Sequence, residues 1–105
     1  MVISADLSRD EVISGLRSLE PRLRARGVRS LAIFGSRARG DHRPDSDLDV
    51  LIDVEPQRKF SLLDLVGVAH VIEDHLAVSA NIFMRRSLEP GMAEGIRPDI
   101  IEIFR

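Results

Sequence analysis

Gly35-Ser36-Arg37-Ala38-Arg39-Gly40-Asp41-His42-Arg43-Pro44-Asp45-Ser46-Asp47-Leu48-Asp49 is the stretch from which the fold is read. It joins two apolar runs. Ser30-Leu31-Ala32-Ile33-Phe34 precedes it and reads as a short buried strand, the end of a run over Val28–Phe34. Val50-Leu51-Ile52-Asp53-Val54 follows it and carries a second strand from Leu48 to Val54. A glycine at a strand end lets the backbone come close to a bound group. A serine opening the next turn offers a hydroxyl, backbone N–H groups and the positive end of a helix dipole, all suited to phosphate. Residues i and i+2 of a strand share a face, with Cα atoms roughly 6.6 Å apart. Asp47 and Asp49 therefore point to one side while Leu48 faces the core. Two carboxylates so placed suit a hard cation such as Mg2+, which takes one or two carboxylates together with phosphate oxygens.

Working outward, Ser8-Arg9-Asp10-Glu11 reads as a capping box, and Val12, Ile13, Leu16, Leu19 and Leu23 follow at helical spacing. Pro21 is expected to kink this helix and Gly27 to end it. Ser36–Arg39 is long enough only for a short helix, and Gly40–Ser46 is a polar loop. After the loop Pro56-Gln57-Arg58-Lys59, Ser61-x-x-Asp64 opens a strongly apolar helix through Leu62, Leu65, Val66, Ala69, Ile72 and Leu76. Val78–Met84 reads as a third strand. Pro90 suits the first turn of a last helix with the stripe Met92, Ile96, Ile100 and Phe104, interrupted by Pro98. The order predicts an α/β (α+β) fold: a small mixed three-stranded sheet packed with about four helices. The first two strands must run antiparallel for turn and aspartates to meet. The helix between the second and third favours a parallel, right-handed crossover.

With 105 residues the default is a single domain over residues 1–105. A net charge of −2 gives no overall attraction to nucleic acid or anionic membrane. Only four phenylalanines supply aromatic surface, with no tryptophan or tyrosine, so a stacking groove for polynucleotide is not expected. The absence of cysteine excludes thiol chemistry and disulfides. Met1-Val2-Ile3-Ser4-Ala5-Asp6 lacks a basic stretch followed by an apolar one, and no run reaches membrane-spanning length, so the expectation is a cytoplasmic protein.

Gly35-Ser36, a ten-residue spacer and Asp47-x-Asp49 resemble the signature of the DNA polymerase β-type nucleotidyltransferases. The Gly-Ser-Arg-Ala-Arg-Gly wording and Ser46-Asp47-Leu48-Asp49 are most similar to the minimal nucleotidyltransferase (MNT) antitoxins, encoded beside HEPN-domain toxins. The resemblance implies Mg2+-dependent transfer of AMP from ATP to a tyrosine of the toxin. Asp47 and Asp49 would be the catalytic metal ligands, holding one or two Mg2+ ions. Gly35 and Ser36 would cradle the triphosphate, and Arg37 and Arg39 would neutralise the leaving pyrophosphate, since arginine forks onto phosphate oxygens. Members commonly carry a third carboxylate on the third strand. Asn81 stands at that position, able to lend a metal its carbonyl oxygen but unable to accept a proton. The chain has no tyrosine, so tyrosine self-modification is excluded and the acceptor must lie on another chain. Asn81 also admits a non-catalytic protein that neutralises its partner by binding. A small-molecule nucleotidyltransferase is the remaining reading, requiring an acceptor-binding domain from a neighbouring subunit. Assembly with the toxin, or with a second copy, fits any of these.

Overall fold

The computed structural model describes residues 7–105. Segment 1–6, read above for a leader, lies outside the described residues. Ser8 caps helix α1 (Arg9–Ser18): its hydroxyl accepts from the Glu11 N–H, and the Glu11 carboxylate accepts from the Ser8 N–H, each at 3.1 Å. The expected kink is a full break. The chain turns at Leu19 and a separate helix, α2 (Glu20–Ala25), begins with Pro21 in its first turn, where a missing N–H costs nothing. Gly27 follows with φ +101° and releases the chain into strand β1 (Val28–Phe34).

The five residues Gly35–Arg39 form helix α3, and strand β2 is Leu48–Val54. These strands are antiparallel, with Phe34 opposite Asp49 and Ala32 opposite Leu51. Helix α4 (Leu62–Leu76) opens on a second capping box, Ser61 with Asp64. Strand β3 (Ala80–Met84) then runs parallel to β2, with Asp49 opposite Asn81. Both strand directions agree with the sequence argument.

The C-terminal segment differs from expectation. Helix α5 spans only Pro90–Ile96, a 3₁₀ turn covers Arg97–Asp99, and Ile101–Phe104 is a fourth strand, β4, antiparallel to β1. The sheet therefore has four strands in the order β3-β2-β1-β4, not three, and the described residues hold five α-helices rather than about four. Pro98 stops the helix, and the β-branched run Ile100-Ile101-Glu102-Ile103 adds itself to the open edge of β1. Ile103 and Phe104 enter the main core with α1, α2 and α4, while Ile100 covers the other sheet face. The stripe from Met92 to Phe104 is thus divided between α5 and β4, with Ile100 in the connection.

Leu48, Val50, Ile52 and Val54 alternate into the main core, under Val68, Ile72 and Leu76 of α4 and Leu16 and Leu23 of α1 and α2. The α4 stripe is rotated from the expected one. Leu62 and Val66 are exposed, as is Leu63, whereas Val68, Val71, Ile72 and Leu76 are buried. The opposite sheet face holds a smaller cluster, Ala32, Phe34 and Leu51, covered by Phe83, Leu88, Ile96 and Ile100. Phe34 and Phe83 meet at 5.4 Å between ring centroids. Period-2 counting puts Asp49 and Asp53 on this second face, on either side of Leu51. Among the described residues no helix is long and apolar enough to cross a membrane.

Candidate active site

The turn after β1 meets the start of β2 because Phe34 pairs with Asp49, which leaves Gly35 directly over the Asp49 side chain. Gly35 has φ +76°, the left-handed region where a side chain is strained, and a Cβ built there would overlap Asp49 Oδ2. Both facts require glycine at this position. Ser36 follows, half-buried, with its carbonyl accepting from the Gly40 and Asp41 N–H groups. Gly40 closes α3 in the left-handed region, φ +85°.

Asp47 lies just before β2 and Asp49 one residue inside it. Across the parallel pairing stands Asn81 of β3. Its amide nitrogen donates to Asp47 Oδ2 at 3.3 Å and to Asp49 Oδ1 at 3.2 Å. The two carboxylates therefore converge on one point at the sheet edge, beside Gly35. A hydrogen-bond donor occupies the point at which both acids aim.

The donor set is compatible with Mg2+. It offers two hard carboxylates, and rotation of the Asn81 amide would present an amide oxygen in place of the nitrogen. Among the described residues there is no cluster of three or more Asp, Glu, His or Cys able to hold a metal. The arrangement suits one ion completed by phosphate oxygens and water better than two.

The arginines take places that their sequence positions did not reveal. Arg37 was expected to face phosphate. Instead it is buried, 1% exposed, with Nε donating to the Ser46 carbonyl at 2.8 Å and Nη2 to the Pro44 carbonyl at 3.2 Å. Its side chain ties the loop 40–46 down in front of Asp47. Arg39 is exposed and bound to two acids, Asp41 at 3.1 Å and Asp99 at 2.9 Å. The hydrogen bonds from Asp41 and then Asp99 raise its already high pKa, so it stays cationic. Asp99 is 60 residues distant, and no local pattern pointed to it. Arg43 lies exposed in the loop, where its N–H donates to Ser46 Oγ. Asp53 lies away from Asp47 and Asp49: it accepts from Ser30 Oγ at 2.6 Å and pairs with Arg85 at 3.1 Å.

Comparison with known proteins identifies the family. Residues 10–103 match the nucleotidyltransferase domain family. The protein adenylyltransferase MntA of Thermococcus cleftensis is 33% identical over 94% of this chain and 99% of its own length. A solved structure named for the minimal nucleotidyltransferases superimposes with a TM-score of 0.77 at 29% identity, covering 91% of this chain and 96% of that one. The MNT antitoxin fold also appears in a Shewanella oneidensis complex of an MNT antitoxin with a tri-AMPylated HEPN toxin. The likeness there has a TM-score of 0.63 at 12% identity, over 88% of this chain and 71% of that one. The chain belongs to the nucleotidyltransferase domain family, in its minimal, MntA-like branch.

Proposed function

We propose that this chain is an antitoxin-type protein adenylyltransferase, a single cytoplasmic domain over residues 1–105. It transfers AMP from ATP to a tyrosine of a HEPN-type toxin and so neutralises it. The observation that carries this reading is the convergence of Asp47 and Asp49 on one point beside the glycine that follows β1. Asp47 and Asp49 would hold Mg2+, with the Asn81 carbonyl oxygen as a third, neutral donor. Bound there, the ion would supply charge neutralisation to the triphosphate. Gly35 lets the backbone approach the phosphates, and the Ser36 hydroxyl donates to them. Arg37 serves the site indirectly, holding loop 40–46 so that Asp47 stays in place. Arg39 turns from Asp41 and Asp99 to the pyrophosphate as it leaves. No carboxylate is present to take the acceptor's proton at position 81. A phenol, with an ordinary pKa of about 10, depends less on such a base than an alcohol does.

Asn81 also favours a second reading, in which the chain neutralises its partner by binding alone. The test is intact-mass analysis of the cognate partner after incubation with this protein, ATP and Mg2+. Adenylyl transfer predicts added AMP on a partner tyrosine, abolished by EDTA and by Asp47→Asn with Asp49→Asn. A stable complex with no change in mass would leave binding as the mode of neutralisation. Transfer undiminished in the double variant would overturn the site.

A further inference from the structure

At the opposite end of the sheet from Asp47 and Asp49, a cavity of about 550 Å³ opens among the start of β1, the ends of β2 and β3, and β4. Asp53 on its wall is four residues beyond Asp49 on β2, roughly 13 Å along the strand. Buried Leu51 and its cover of Leu88, Ile96 and Ile100 lie between the two. The proposed transfer reaction makes no use of this cavity.

Its lining is unusual in charge. Four arginines, Arg29, Arg85, Arg86 and Arg105, face two acids, Asp53 and Glu102. The acids are engaged in holding the floor. Arg85 donates from Nε to Asp53 at 3.1 Å and from Nη2 to Glu102 at 3.3 Å. Asp53 Oδ2 also takes the Ser30 hydroxyl at 2.6 Å, so one oxygen fixes two donors. Arg105 reaches Glu102 at 3.8 Å. Arg29 and Arg86 form no ion pair among the described residues, and both are exposed at the cavity. Two cationic forks therefore stand over a rigid, hydrogen-bonded base.

An oxyanion matches the two exposed guanidinium groups. We propose that this cavity is a second ligand site, separate from the catalytic carboxylates, which binds a phosphate monoanion or dianion or a phosphate monoester. Arg29 and Arg86 grip the phosphate oxygens in the bidentate manner of guanidinium. Arg85, locked by Asp53 and Glu102, holds the base in position. The site does not depend on the adenylyltransferase reading, and its test is independent of activity.

The test is a titration of the full chain, followed by amide chemical shifts at low ionic strength, where exposed charges are least screened. Inorganic phosphate and AMP are used as separate probes. The expected result is saturable shifts at Arg29, Ser30, Arg85, Arg86 and Glu102. Arg29→Gln with Arg86→Gln should weaken binding by about tenfold or more. Asp47→Asn with Asp49→Asn should leave it unchanged. Equal affinity for the two probes identifies bare phosphate as sufficient, and tighter AMP binding identifies a nucleotide. Absence of saturable shifts with both probes would overturn the proposal. Shifts that persist in the double-arginine variant, or that vanish in the double-aspartate variant, would overturn it equally. Circular dichroism of the arginine variant checks that it is folded, and Arg29→Lys, which keeps charge but loses the fork, should bind with intermediate affinity.

Discussion

Asn81→Asp should make the protein weaker without divalent metal and better bound to it. In the native chain the Asn81 amide nitrogen stands 3.3 Å from Asp47 Oδ2 and 3.2 Å from Asp49 Oδ1. The variant removes both hydrogen bonds, each worth about 0.5–1.5 kcal/mol net. It also sets a third negative charge near two others. If repulsion opens each pair to about 4 Å, the Coulomb cost is about 1 kcal/mol per pair in water-like surroundings and about 4 at an effective dielectric of 20. Asn81 and Asp47 are exposed, so the lower figure applies. The sum is roughly 3–5 kcal/mol, on the order of 20 °C in melting temperature for a chain of this size. A dication at the same place reverses the sign. An added carboxylate about 4 Å away then contributes about 2 kcal/mol of attraction, close to thirtyfold in affinity. Thermal melts in EDTA and in saturating Mg2+, with Mn2+ affinity by calorimetry, read both arms. The gap between the two melts should widen in the variant. A variant as stable as wild type in EDTA, with unchanged Mn2+ affinity, would refute the convergence of these three side chains.

Gly35→Ala should cost roughly 1–2 kcal/mol for a left-handed alanine, and it should also displace the Asp49 carboxylate. Melting temperature should fall by several degrees and Mn2+ affinity more than proportionately. Unchanged metal affinity would show that Asp49 is not held by that close approach. Arg37→Met should lose two charge-assisted bonds to the Ser46 and Pro44 carbonyls, about 3 kcal/mol together, and make loop 40–46 the first site of limited proteolysis. Resistance equal to wild type would refute its clamping role. Asp64 should titrate below the usual carboxylate range, because the Ser61 N–H and then its hydroxyl hydrogen-bond to the ionised form. Its folded pKa is depressed, so the stabilisation is complete above the ordinary carboxylate pKa and is lost as pH falls through the folded value. Ser61→Ala should move the NMR titration midpoint of Asp64 upward, since the hydroxyl is lost and the N–H kept. An unmoved midpoint would remove the hydroxyl from the account.

What was legible in the sequence was what is encoded locally. Gly35, Ser36, Asp47 and Asp49 sit within fifteen residues, and strand periodicity alone puts the two acids on one face. Ser8 with Glu11, and Ser61 with Asp64, announced their helices because a capping box is a contact between residues three apart. The antiparallel pairing followed from the need for turn and aspartates to meet, and the parallel one from the helix between β2 and β3. Other features depend on partners remote in sequence. The α4 stripe is legible only in part: Leu65, Ile72 and Leu76 face the core as the spacing predicts, but the helix is apolar nearly all round, so spacing does not choose Val68 and Val71 over Leu62 and Val66. Strand β4 exists because β1 has an open edge, which a reading of residues 90–105 by themselves does not contain. Burial of Arg37 has the same character: its acceptors are main-chain carbonyls of a loop, and backbone carbonyls leave no trace in composition.

The fate of the two arginines bears on how a triphosphate would be received. Arg37 is buried and committed to the Ser46 and Pro44 carbonyls, and withdrawing it would give up two charge-assisted hydrogen bonds at a cost of about 3 kcal/mol. Arg39 is committed as well, but to Asp41 and Asp99 at the surface. Exposed ion pairs of this kind are worth little, with a median near 0–1 kcal/mol. Exchanging them for a polyphosphate is therefore close to neutral for the protein, while the ligand gains a fixed guanidinium. The chain thus has one arginine that cannot leave its post and one that can, two residues apart on the same short helix. Loop 40–46 follows the same division. Arg37 restrains it from beneath, and Asp41, at its first turn, is released when Arg39 turns away. Nucleotide binding should therefore loosen Asp41 and Asp99 while Pro44, Ser46 and Asp47 stay fixed, an asymmetry that amide hydrogen exchange with and without nucleotide would resolve residue by residue.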